Sequence, residues 1–116
     1  MDKRVPIDLE LSGTASATGT CTLETKGFVG GGLLCLQRVA IRGTVNQGFT
    51  ADVSFERAGK RLYIETLVTT ATGEIEAMQG PVFAPGDYEV IVEFTGATAS
   101  EVVYAWIYGY WVPPAE

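Results

Sequence analysis

Residues 84–112, APGDYEVIVEFTGATASEVVYAWIYGYWV, decide the fold class. The opening turn Ala84-Pro85-Gly86-Asp87 sets φ with its proline and permits positive φ with its glycine, so the chain reverses there at little steric cost. Tyr88, Val90, Val92 and Phe94 then alternate with Glu89, Ile91 and Glu93, the period-two pattern of a strand with one buried and one wetter face. From Glu101 to Trp111 both parities are apolar or aromatic. Val103, Ala105, Ile107 and Trp111 lie on one side, and Val102, Tyr104, Trp106, Tyr108 and Tyr110 on the other. Such a strand needs two covers, the domain's own core on one side and something else on the second. The chain reads as a small all-β module, and the second cover is the question about its function.

Working outward, the same period recurs. Val5, Ile7, Leu9 and Leu11 share a parity, with Pro6 near the start suited to an edge. Ser12–Ala15 reads as a turn, and residues 16–25 as a threonine-rich edge strand with Cys21 and Leu23 on a weak apolar face. Residues 33–45 form a strand whose apolar parity switches near Gln37-Arg38, as at a bulge. Asn46-Gln47-Gly48 is a turn. Phe49, Ala51, Val53 and Phe55 mark a strand joined through Ala58-Gly59-Lys60 to a second at 61–70, where Leu62, Ile64 and Val68 continue the extended pattern. Glu74 to Met78 fits a short strand or a helical turn, broken by Gln79-Gly80-Pro81, and Pro113-Pro114 stops the last strand. About eight short strands with regular turn signals predict a single-domain β-sandwich of jelly-roll type over residues 1–116, with a partly open barrel as the alternative.

Composition narrows the function. A chain of 116 residues buries enough surface to fold without a staple. A formal charge of −6 with eight scattered cations argues against phosphate-directed nucleic-acid binding. No signal-peptide core and no run long enough to span a bilayer is present, so the expectation is a chain made in the cytoplasm, with no membrane partner. The two cysteines, Cys21 and Cys35, are then expected to be reduced, although a hairpin centred near Phe28 would set them opposite each other. With no histidine there is neither a conventional zinc site nor a histidine general base. The glycines at 27 and 30–32 lead into Leu33-Leu34 rather than the Gly-Lys-Ser/Thr of a phosphate loop, and read as a hairpin loop with Phe28 and Val29 at its tip. The acidic pairs Asp8/Glu10, Glu74/Glu76 and Glu89/Glu93 read as solvated sheet faces, and four dispersed aspartates do not make a calcium loop. No enzymatic chemistry and no cofactor is expected.

The aromatic parity of the last strand fits three readings: a second packed layer, which is favoured, a protein contact, or a sugar-stacking platform. Protein contact ranks above sugar, because the sequence neighbours of these rings are valine, alanine and isoleucine rather than hydroxyl-holding polar groups.

The segment Pro85–Gly96, followed by Tyr108-Gly109-Tyr110-Trp111, resembles the last hairpin of jelly-roll modules. The whole chain, histidine-free, rich in glycine and threonine and ending in a short proline tail, resembles small virion structural proteins of tailed bacteriophages, of the capsid decoration or cement type. That resemblance implies a non-enzymatic, homo-oligomeric or lattice-bound virion protein that binds itself or a major capsid protein, with residues 1–6 as an arm reaching a neighbour. Val5, Phe28, Val29, Trp106, Tyr108 and Tyr110 are the candidate interface residues. The alternative is a carbohydrate-binding module in which Trp106 and its neighbouring tyrosines stack on sugar rings.

Overall fold

A computed structural model describes residues 4–26, 31–44, 48–69 and 75–114. The described residues form eight strands: β1 (Val5–Thr14), β2 (Cys21–Glu24), β3 (Leu33–Gly43), β4 (Phe49–Arg57), β5 (Lys60–Thr69), β6 (Glu76–Pro85), β7 (Glu89–Thr95) and β8 (Val102–Val112). They form two four-stranded antiparallel sheets, ordered β1-β8-β3-β6 and β2-β7-β4-β5. The pairings β4 with β5, β3 with β6, β2 with β7 and β1 with β8 nest inside one another. The chain is thus one long antiparallel hairpin whose two arms roll up together, which is a jelly roll.

Among the described residues only β4 and β5 are consecutive strands that pair within one sheet, and their two-residue turn shows why. Ala58 and Gly59 have φ of 52° and 80°, the left-handed pair of a type I′ turn, whose twist matches that of the flanking strands. The inward parities are those expected: Phe49, Val53 and Phe55 meet Tyr88, Val90, Val92 and Phe94 in the core, with the Phe49 and Phe94 rings edge to face at 5.5 Å. The other sheet contributes Leu34, Leu36, Val39, Ile41, Val103, Ala105 and Ile107.

Several local expectations are corrected. Ser12–Thr14 extends β1 rather than turning, and pairs with Tyr104, Val103 and Val102. Gly13 permits this, since a Cβ there would come within 2.8 Å of Cys21 Sγ. The threonine-rich strand shrinks to Cys21–Glu24 because Ser16 organises a turn instead: its Oγ lies 3.0 and 2.9 Å from the Thr18 and Thr20 hydroxyls and accepts both of their N–H groups. β2 and β3 lie in different sheets and do not pair, so Cys21 sits opposite Phe94 while Cys35 lies between Phe83 and Tyr110, and both thiols are free; the loop tip expected at Phe28 and Val29 lies outside the described residues. β6 continues past Gly80-Pro81 with a shift of register there against β3, an irregularity that an edge strand tolerates. The bulge near Gln37-Arg38 is present, as a register shift between Leu36 and Arg38. A second shift, between Val53 and Ser54, changes the parity along β5, an edge strand in which Leu67 is buried while Leu62 and Val68 are exposed. The Asn46-Gln47 part of the expected turn lies outside the described residues.

Candidate functional site

β8 is an interior strand of its sheet, flanked by β1 and β3. With Val103, Ala105 and Ile107 buried in the core, period two sends Tyr104, Trp106, Tyr108 and Tyr110 to the outer face. Among the described residues no second sheet lies over them: Tyr108 is 37 % exposed and the other three rings are half-buried. The rings overtop the small residues beside them, and Cys35 and Ala40 are buried on this same outward side.

The cross-strand register gives this face its charge pattern. Asp8, Tyr108 and Arg38 lie in one row across the sheet, Glu10, Trp106 and Ala40 in the next, and Ser12, Tyr104 and Arg42 in the third. A carboxylate column on β1 and a guanidinium column on β3 therefore border the aromatic column. The columns stand roughly 10 Å apart, two strand spacings, with Tyr108 between Asp8 and Arg38, and among the described residues these two do not pair with each other. At one end Leu33 and Phe83 extend the face with apolar surface, Phe83 being 53 % exposed.

Ring orientation decides what such a face can hold. Tyr104 and Trp106 stack on each other, with centroids 5.9 Å apart and an interplanar angle of 12°, and Trp106 Nε1 donates to Glu10 Oε1 at 3.2 Å. The Arg4 guanidinium lies 4.5 Å from the centre of the Tyr110 ring. Three of the four rings thus have one face engaged within the subunit.

Of the six residues singled out from the sequence, Trp106, Tyr108 and Tyr110 are brought together here. Val5 has the opposite parity: together with Pro6 it pairs in β1 with Trp111 and Tyr110 rather than forming an arm. Phe28, Val29 and residues 1–3 lie outside the described residues. Sequence reasoning missed Asp8, Glu10, Arg38 and Arg42 as neighbours of the rings, and it compared the rings with residues along their own strand. Those valines and alanines mostly face inward, and the lateral neighbours come from strands far away in sequence.

A second feature lies at the open edge of the sandwich. β2 is only four residues long and leaves the first half of β1 without a partner in the other sheet, giving an apolar cleft of about 240 Å³ lined by Ile7, Leu9, Leu11, Leu36, Val90 and Ile107. Its polar rim is Glu24, Thr25 and Lys26, and Thr25 Oγ1 is already engaged by Val90 N–H at 3.0 Å. Its titratable lining side chains are Glu24, Lys26 and Tyr88. Burial raises the Cys21 thiol above its ordinary pKa of 9.0, the opposite of what a nucleophile needs. Glu101, 2 % exposed, accepts N–H groups from Thr44 and Thr98 at 3.0 Å each and ties the loop after β3 to the one before β8. Among the described residues no cluster of three or more metal-ligating side chains occurs.

No protein-family model matches the chain, and no curated protein sequence does. Solved structures share its architecture. The crystal structure of PirA superposes with a TM-score of 0.55 at 15 % identity, covering 86 % of this chain and 92 % of that one. Murine APRIL superposes with a TM-score of 0.50 at 11 % identity, covering 86 % and 99 %. At such identities the likeness concerns the fold alone, an eight-stranded jelly-roll sandwich.

Proposed function

We propose that this chain is a non-enzymatic structural protein that assembles with other protein subunits through the outer face of the β1-β8-β3-β6 sheet, in the manner of a virion decoration or cement protein. The observation that carries this reading is the uncovered aromatic column between two charge columns. Tyrosine, tryptophan and arginine are the residues enriched where protein interfaces concentrate their binding energy. A contiguous half-exposed aromatic surface on a subunit without a partner also carries a cost in solubility that an interface removes.

Carbohydrate binding is the second reading, and the flanking Asp8, Glu10, Arg38 and Arg42 favour it more than the local sequence did. The ring geometry weighs against it. Sugars stack on open ring faces, whereas Tyr104 and Trp106 each give one face to the other and Tyr110 gives one to Arg4. Light scattering after size exclusion, run beside retention on immobilised polysaccharides, tests the two together. Assembly predicts a multi-subunit mass and no retention. A monomer retained by a polysaccharide overturns it.

A further inference from the structure

Resting on that assembly reading, we infer that the partner on this face is a second copy of the same chain, related by a two-fold axis running parallel to β8.

The charge columns select this arrangement. A two-fold between two facing sheets lies in the interface plane, and its direction decides which columns meet. An axis perpendicular to the strands sets β1 over the partner's β1, carboxylates over carboxylates. An axis along β8 exchanges the two sides of the sheet and sets β1 over the partner's β3. Because Asp8 and Arg38 share a row with Tyr108, such an axis places Asp8 level with the partner's Arg38. Glu10 then faces the gap between the partner's Arg38 and Arg42. The pattern repeats on the other side, as an isologous contact requires. Among the described residues Asp8, Arg38 and Arg42 have no ion-pair partner within the subunit, so the contact takes none away. The aromatic columns meet on the axis with strands aligned, the ordinary geometry of stacked sheets.

The size of the contact sets the working concentration. Three facing strands span about 14 Å, and the eleven residues of β8 about 36 Å, so each copy covers roughly 500 Å². The total, roughly 1,000 Å², is at the lower limit of specific interfaces and describes a reversible dimer seen in concentrated solution or within a larger lattice.

The test is a charge exchange read by sedimentation equilibrium. One variant carries Asp8→Lys and Glu10→Lys, making both columns positive, and the other carries Arg38→Glu and Arg42→Glu, making both negative. Each variant alone is expected to dissociate at least about 100-fold more readily than the wild type, because like charges then face each other twice. An equimolar mixture is expected to recover a dimer within about tenfold of the wild-type affinity, since opposite columns meet again. Unchanged circular dichroism and thermal midpoints establish that both variants fold. Wild-type assemblies that survive both reversals, or a mixture that stays monomeric, overturn the two-fold arrangement while the assembly reading stands. A wild type that is monomeric at every concentration overturns the assembly reading itself, and this inference with it.

Discussion

Ile107 and Tyr108 are adjacent and face opposite ways, so truncating each to alanine measures which side of β8 is core. Ile107 is 1 % exposed, inside the sandwich, and Ile107→Ala removes three carbons. At about 0.8 kcal/mol for each buried carbon the transfer loss is about 2.4 kcal/mol, and the residual cavity raises the cost to about 3 to 4 kcal/mol. Tyr108 is 37 % exposed, its ring lies between Asp8 and Arg38, and no described layer lies above it. Tyr108→Ala therefore costs about 1 kcal/mol or less, the loss of lateral packing alone. The assay is urea unfolding of dilute monomer followed by far-ultraviolet circular dichroism. Ile107→Ala should move the midpoint strongly and Tyr108→Ala weakly, with the same m-value. Equal losses at the two positions would refute the reasoning, because they require the outer rings to be as enclosed as the core.

Other consequences follow from single contacts. Val92→Ala and Phe55→Ala, both in the shared core, should each cost about 2 to 4 kcal/mol in the same assay, and losses below about 0.5 kcal/mol at both would reverse the inward parity. Glu101→Gln keeps the shape of the side chain but turns an N–H donor toward one of the two backbone N–H groups that the carboxylate now accepts, costing about 1 to 3 kcal/mol; a shift under about 0.3 kcal/mol would mean that the loops hold themselves. Burial raises the Cys21 pKa, so the folded state holds that proton more tightly than the unfolded state; stability is then full below pH 9.0 and declines as pH rises through the higher folded value. Cys21→Ser should remove that part of the alkaline decline in a pH series of melts, and identical alkaline slopes would show that the thiol takes no part. Gly13→Val drives a side chain into Cys21 and Leu23 and should cost about 1 to 3 kcal/mol, read as a lower melting midpoint.

The fold was legible where local chemistry and tertiary structure agree. The strands at Phe49–Arg57 and Glu89–Thr95 carry clean alternation, and the Ala58-Gly59 turn demands a hairpin, so sequence and structure coincide there. Agreement fails where a side chain serves the turn rather than the strand, as with Ser16, Thr18 and Thr20. It fails again where pairing is non-local: β1 and β8 are at opposite ends of the chain, and nothing near Cys21 indicates that it belongs to a different sheet from Cys35. The outer face was half legible for the same reason. Its aromatic column is one run of sequence, whereas its charge columns come from residues 8–10 and 38–42 and meet it only through the register of β8.

The claim that the outer face of the β1-β8-β3-β6 sheet is an assembly surface is tested most directly by sedimentation equilibrium. The wild type is compared with a variant carrying Trp106→Ser and Tyr108→Ser over a concentration series. The account predicts a wild type whose mean mass rises with concentration above that of the 12.4 kDa chain, and a variant that stays monomeric with a nearly unchanged melting midpoint. A wild type that remains a monomer throughout, or a variant that associates as the wild type does, would contradict it.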